Sequence, residues 1–194
     1  MKKIGFFGGS FDPIHFGHLN LALEIKEAKN LDEVIFCPAY INPNKEPNDK
    51  GASIEERFQM VKFAIEGIDY FKASDIEAKR EGISYTVDTL ETLAKENKEA
   101  QIFLILGLDA AANFSSWKDP EKILSLATPL IGLRDFSSLD QNLKYYPVFK
   151  KGLVKTHLLD ISSTEIRRRL QLKLYIRHLV PSKVVDYIYE HHLY

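Results

Sequence analysis

The chain has 194 residues, enough for one domain with a sizeable core. Its 26 Lys and Arg nearly balance 27 Asp and Glu, so a net charge of -1 excludes a strong field for bulk nucleic acid or a membrane surface. The single Cys37 excludes an intrachain disulfide and a cysteine-built metal site, and it fits a reducing compartment.

The apolar run inside Met1–Gly8 is too short for a secretory signal, and no stretch reaches the roughly 18 apolar residues of a membrane span. A cytoplasmic protein is expected. Residues 3–7 (KIGFF) read as a buried strand that stops at the glycine pair Gly8-Gly9. Beyond the loop, Leu19, Ala22 and Leu23 recur at helical spacing, as do Leu21, Ile25 and Ala28, giving a helix with a wide apolar stripe. Residues 34–38 (VIFCP) read as a second strand. The polar segment 40–51, with Pro43 and Pro47, reads as a long surface loop of a kind that often carries function.

Ser53 and Glu56 form a capping box ahead of a helix with Phe58, Val61 and Ile65. A strand is expected near 70–76 and a helix over 84–96. The run 102–107 (IFLILG) is the clearest buried strand, and 128–133 is another. The stretch 135–152 has little pattern. A last strand over 153–159 leads to a helix at 162–170, and a closing helix begins at Pro181. Strands alternate with helices almost throughout, which favours an α/β fold: a parallel sheet with helices on both faces. One domain over 1–194 is expected, with a small helical part from about residue 162.

In such a fold ligands bind at the carboxyl ends of the strands, and residues 8–18 (GGSFDPIHFGH) form the first such end. Gly8 and Gly9 let a ligand approach the main chain. A helix beginning after Gly17 offers N–H groups and a positive dipole end to phosphate. His15 and His18, three apart at that helix start, share a face and can donate to phosphate oxygens and to charge that builds in a transition state. Asp12 is the carboxylate close by, and with the two histidines it matches no familiar metal spacing. The glycines fit neither the dinucleotide fingerprint of oxidoreductases nor a P-loop. Near the other end, the hydroxyls of 161–167 (ISSTEIR) and Arg167 one turn into a helix make a second anion site. An ordinary cap with solvated Arg168 and Arg169 is equally open on the residues alone.

Gly9-Ser10-Phe11-Asp12-Pro13 followed by His15-Phe16-Gly17-His18 resembles the signature of the HxGH nucleotidylyltransferase superfamily. Within it the match is to the bacterial nicotinate-nucleotide adenylyltransferases, and it extends from Lys2 to the closing helix without residues 136–152. The resemblance implies a Rossmann-like, doubly wound sheet and transfer of AMP from ATP to nicotinate mononucleotide. The products would be deamido-NAD and pyrophosphate, a step of NAD biosynthesis. It also implies roles. His15, His18, Lys45 and Arg167 would be catalytic. Gly8, Gly9, Ser10, Phe11, Gly107, Asp109, Arg134, Ser163 and Thr164 would hold ATP. Lys45, Thr86 and Trp117 would hold the mononucleotide, and Mg²⁺ would come with ATP.

Without the resemblance, Lys45 reads as a solvated loop lysine, Thr86 as a helix cap and Trp117 as a core or interface residue. Two departures from the family pattern stand out: Lys118 follows Trp117 where an aromatic is usual, and Asp135-Phe136 follow Arg134 where Pro-Gly is usual. Rival readings are adenylyl transfer to nicotinamide mononucleotide or to phosphopantetheine, cytidylyl transfer, and a nucleotide-binding module without catalysis. No nucleic acid or membrane partner is expected, and a homo-oligomer stays open.

Overall fold

The computed structural model describes residues 1–43, 51–135, 140, 144–157 and 159–194. Along the chain the elements are β1 (Lys2–Gly9), α1 (Phe16–Lys29), β2 (Glu33–Pro38), α2 (Ile54–Ala64), β3 (Phe71–Ala73), α3 (Ile76–Arg80), α4 (Thr86–Glu96), β4 (Ala100–Leu106), α5 (Leu108–Ala112), α6 (Pro120–Leu126), β5 (Thr128–Leu133), α7 (Tyr146–Phe149), β6 (Leu153–Lys155), α8 (Ser163–Gln171) and α9 (Ser182–Glu190). The strands form a six-stranded parallel sheet in the order β3-β2-β1-β4-β5-β6. This is the α/β Rossmann-like fold read from the alternation of elements. Each expected strand is present, although β3 and β6 are only three residues long. Four helices carry no periodic signal in the sequence: α3, α5, α6 and α7. None exceeds seven residues, too few to repeat an apolar stripe. Among the described residues, no helix is long and apolar enough to cross a membrane.

The described chain divides into two compact units. The first comprises Met1–Phe7, Asn20–Ile35 and Tyr85–Leu158. Here β1 pairs with β4 from Lys2 opposite Ala100 to Phe6 opposite Leu104. Strand β4 pairs with β5 from Phe103 opposite Thr128 to Leu106 opposite Ile131, and β5 pairs with β6 over Ile131 to Leu133. Ile102 to Leu106 are buried without a break, the mark of a strand covered on both faces. Gly152 has to be glycine, because a Cβ there would overlap the carbonyl oxygen of Pro129. The patternless stretch ends in an aromatic cluster. Phe149 and Tyr145 meet Phe114 edge-on at 5.4 and 5.3 Å between ring centroids, a geometry that suits the ring quadrupoles.

The second unit comprises Gly8–Leu19, Phe36–Ser84 and Leu159–Tyr194. Helix α2 opens with the expected capping box: Ser53 accepts from the Glu56 N–H and Glu56 accepts from the Ser53 N–H. It packs on α9. Met60, Val61 and Ala64 of α2 and Val184, Val185 and Ile188 of α9 are buried, each larger side chain contributing about 1.5–3 kcal/mol on removal from water. Pro181 is the residue before α9 and not its first helical residue. A line of aromatic rings runs from Phe11 through Phe36 to Phe71, with centroids 5.8 and 5.1 Å apart.

Arg57 interrupts the buried face of α2 at a position where spacing calls for an apolar residue. Its guanidinium donates to the carbonyls of Ser10 (2.8 Å), Ala52 (3.0 Å) and Tyr40 (3.3 Å), tying three loop segments to one helix. Replacement by Met keeps the stem and abandons three acceptors. The expected cost is about 2 kcal/mol, read as a lower denaturant midpoint at unchanged slope; an unchanged midpoint would show that the loops do not depend on this arginine.

Candidate active site

The candidate residues fall into two groups, one in each unit. In the second unit, the loop after β1 turns at Phe11, whose backbone is left-handed (φ 47°) and whose ring is buried. Gly9 makes room for this turn, since a Cβ there would sit 3.2 Å from the Phe11 ring. The Phe11 ring therefore forms a wall, packing edge-on against His18 at 5.1 Å. Ser10 Oγ accepts from Asn42 Nδ2 at 2.9 Å.

Helix α1 starts at Phe16, two residues earlier than the sequence suggests. His15 takes the place of a cap: its carbonyl accepts from the N–H groups of His18 and Leu19. Its own N–H donates to His18 Nδ1 at 3.3 Å. That bond sets the tautomer of His18: Nδ1 accepts, so the neutral ring carries its proton on Nε2. The two imidazoles stack at 3.7 Å between centroids. The N–H of Phe16 donates to the Leu179 carbonyl. The helix start thus spends donors inside the protein that the sequence reading left for phosphate.

Both rings are held neutral. Burial pulls His15 down from 6.5 to about 4. Burial, and then the neighbouring His15, hold His18 well below its ordinary range. His15 is 4% exposed, and its Nδ1 has no hydrogen-bond partner among the described residues. The unfolded chain, with ordinary histidines, binds more protons than the folded one between about pH 6.5 and 4. Stability from this pair is therefore fully present above that window and falls as the pH is lowered through it, by up to about 1.4 kcal/mol per pH unit for each ring. Chemical denaturation at several pH values should show this slope, reduced in His15→Gln; equal slopes in the two proteins would contradict it.

The start of α8 packs on the same loop. Ser162 is its N-cap and accepts from the Glu165 N–H at 3.1 Å. Ser163 Oγ donates to the Pro13 carbonyl at 2.9 Å, and Arg167 Nη1 donates to the Asp12 carbonyl at 2.8 Å. Thr164 Oγ1 lies 3.5 Å from Arg167 Nη2. The two anion-seeking motifs, about 150 residues apart in sequence, are thus joined by direct hydrogen bonds. Arg168 and Arg169 instead pair with Glu165 on α8's own surface. Lys45 lies outside the described residues. Three residues of this group escaped the sequence reading. Arg57 carried a signal, a charge at apolar spacing; Asn42 and Tyr194 carried none.

In the first unit, Gly107 and Asp109 follow β4, and Arg134 follows β5. These strands are parallel neighbours, so their carboxyl ends lie side by side. Asp109 and Arg134 are exposed, and a Cβ on Gly107 would meet open space. Thr86 is the first residue of α4 and half-buried. Trp117 leans on Phe114 at 5.2 Å, its Nε1–H buried without a partner among the described residues. Lys118 does not point away from this group: its ammonium sits 4.6 Å above the Tyr85 ring and 3.2 Å from both oxygens of Asp88.

A sequence profile described as cytidylyltransferase-like matches residues 6–169. A probable nicotinate-nucleotide adenylyltransferase of Oceanobacillus iheyensis is 38% identical over 194 residues, covering 100% of this chain and 97% of its own. One of Dictyoglomus thermophilum is 39% identical over 197 residues, covering 99% of each chain. The chain belongs to the nicotinate-nucleotide adenylyltransferase family. Among solved structures, the Plasmodium falciparum nicotinic acid mononucleotide adenylyltransferase complexed with NaAD aligns with a TM-score of 0.81 at 23% identity. The alignment covers 98% of this chain and 96% of that one; the likeness is one of fold. As a member of the nicotinate-nucleotide adenylyltransferase family the chain is a nucleotidyltransferase. The profile match takes in both histidines and Arg167 and stops before α9.

Proposed function

We propose that the protein joins ATP to nicotinate mononucleotide, releasing pyrophosphate and forming deamido-NAD. The observation that carries this reading is the bond from Arg167 to the Asp12 carbonyl. It fixes a cation beside the loop that presents two neutral, stacked imidazoles. The acceptor's 5′-phosphate is already an anion at neutral pH, so the reaction needs no base to activate it. It needs alignment and relief of charge on the phosphates.

His18, with its proton on Nε2, and His15 donate to oxygens around the α-phosphate as the bond to pyrophosphate breaks and the bond to the acceptor oxygen forms. Arg167 and Thr164 hold the β- and γ-phosphates, and Ser163, its hydroxyl on Pro13, docks the helix that carries them. The backbone of Gly8, Gly9, Ser10 and Phe11 lets the triphosphate approach closely. Gly107, Asp109 and Arg134 serve the adenosine, with Asp109 on ribose hydroxyls. Thr86, Trp117 and Lys45 serve the mononucleotide. Mg²⁺ fits this donor set as a companion of ATP: the groups around the loop are N–H and cationic donors suited to phosphate oxygen, and Asp12 Oδ1 already accepts two protein hydrogen bonds. When bound, the ion neutralises charge on the phosphates.

The test is to incubate the protein with MgATP and, separately, nicotinate mononucleotide, nicotinamide mononucleotide and phosphopantetheine, measuring pyrophosphate. Release with nicotinate mononucleotide well above the others is expected. Release with another acceptor alone would replace the substrate, and no release with any would favour a nucleotide-binding module.

A further inference from the structure

Trp117 and Lys118 lie in a short joint between two helical pieces. The turn Phe114–Ser116 ends just before them, and α6 begins just after, at Pro120. Asp119, the last residue of the joint, is left-handed (φ 50°), a conformation that costs a residue with a side chain. No hydrogen bond among the described residues fixes the indole. It leans on Phe114, and its Nε1–H is buried without a partner there.

Lys118 supplies a hold. Its ammonium stands 3.2 Å from both oxygens of Asp88 and 4.6 Å above the Tyr85 ring. Tyr85 is the residue before α4 and Asp88 lies in its first turn, so one lysine grips the chain on both sides of Thr86. One turn further on, Lys122 of α6 pairs with Glu91 of α4, a second rung in the same register. The Lys118 and Asp88 side chains are 43% and 35% exposed. Exposed pairs of this kind contribute little to overall stability. The effect of this one is local: it orders the joint that carries Trp117.

We propose that Lys118 is a positioning residue for the acceptor. Gripped by Asp88 and Tyr85, it holds Trp117 against the first turn of α4 before the mononucleotide arrives. The inference rests on the adenylyltransferase reading, in which Thr86 and Trp117 serve the mononucleotide. With the grip in place, the ordering cost of the joint is met in the free protein; without it, binding of the acceptor has to meet that cost.

Lys118→Met keeps the stem and removes the ammonium. KM for nicotinate mononucleotide is expected to rise about tenfold, the combined worth of an exposed ion pair and an exposed cation–ring contact. KM for ATP and kcat should stay within about twofold. Lys118→Arg keeps a cation for both partners and should return most of the acceptor's KM. Asp88→Asn should raise that KM as well, and the double variant with Lys118→Met should be no worse than Lys118→Met alone, because both changes remove one contact. Trp117 is the single tryptophan, so its fluorescence reports the joint directly. Acrylamide should quench it more strongly in Lys118→Met than in the unmodified protein or in Lys118→Arg, with no substrate present.

A merely structural lysine would lower the melting temperature and leave the acceptor's KM unchanged, and that result overturns the proposal. So does a double variant in which the two losses multiply. Should the unmodified protein release pyrophosphate with no acceptor, the adenylyltransferase reading fails. Stronger quenching in Lys118→Met would then still uphold the hold on Trp117, and equal quenching would overturn it.

Discussion

His18→Ala is expected to lower kcat by about 10²–10³ and to leave KM for ATP within a few-fold, because the bond it makes strengthens as charge moves onto the departing pyrophosphate. The structure presents this residue as a neutral, oriented donor, not as a generic cation. The His15 N–H on Nδ1 sets the tautomer, burial keeps the ring neutral, and the Phe11 edge fixes its plane. His18→Gln would test this further: an amide can still donate but is not held by the same stack, and it should recover part of the loss. A near-normal kcat in His18→Ala would remove the residue from the chemistry, whatever happened to KM. Binding of the triphosphate should also raise the pKa of both rings, since an anion offsets part of the burial cost of the protonated form.

Arg167→Ala is expected to cost on the order of 100-fold in kcat/KM for ATP, with the acceptor's KM little changed. A charge-assisted bond to phosphate is worth about 1.5–3 kcal/mol. The loss has two origins. One is the phosphate contact. The other is the bond to the Asp12 carbonyl that ties α8 to the histidine loop. Arg167→Lys separates them: a lysine supplies charge to the phosphate as a point donor, but it lacks the fork that reaches the loop and Thr164 together. An intermediate loss is expected for Lys, measured by steady-state kinetics with ATP varied. Equal kinetics for Arg, Lys and Ala would show that the triphosphate does not use this corner.

The parallel sheet and its helices were legible in the sequence because uninterrupted apolar runs and strand–helix alternation encode burial on both faces. The run at β4 shows this most clearly. The capping box at Ser53 was legible because its partners are three residues apart. The site was legible in part. The histidine motif and the Ser-Thr-Arg motif each carried a local signal, and the resemblance supplied their roles. The short helices α5 and α6 carried no such signal, nor did the fate of Phe11, whose ring turns into the core because the backbone is left-handed there.

By itself the sequence determined what depends on near neighbours and composition: the order of elements, the apolar faces, the caps, the chemistry of the two motifs and the membership that such motifs imply. Only the tertiary structure decided which donors are already spent. Ser163's hydroxyl goes to the Pro13 carbonyl, the N–H of Phe16 to Leu179, and the Tyr194 hydroxyl to Oδ1 of Asp12. The physical reason is that a hydrogen bond to a carbonyl or carboxylate far along the chain leaves no trace in the spacing of residues. Burial, which lowers the histidines and turns Asp12 into a hub, is a property of everything packed around a side chain and not of the side chain's own neighbours.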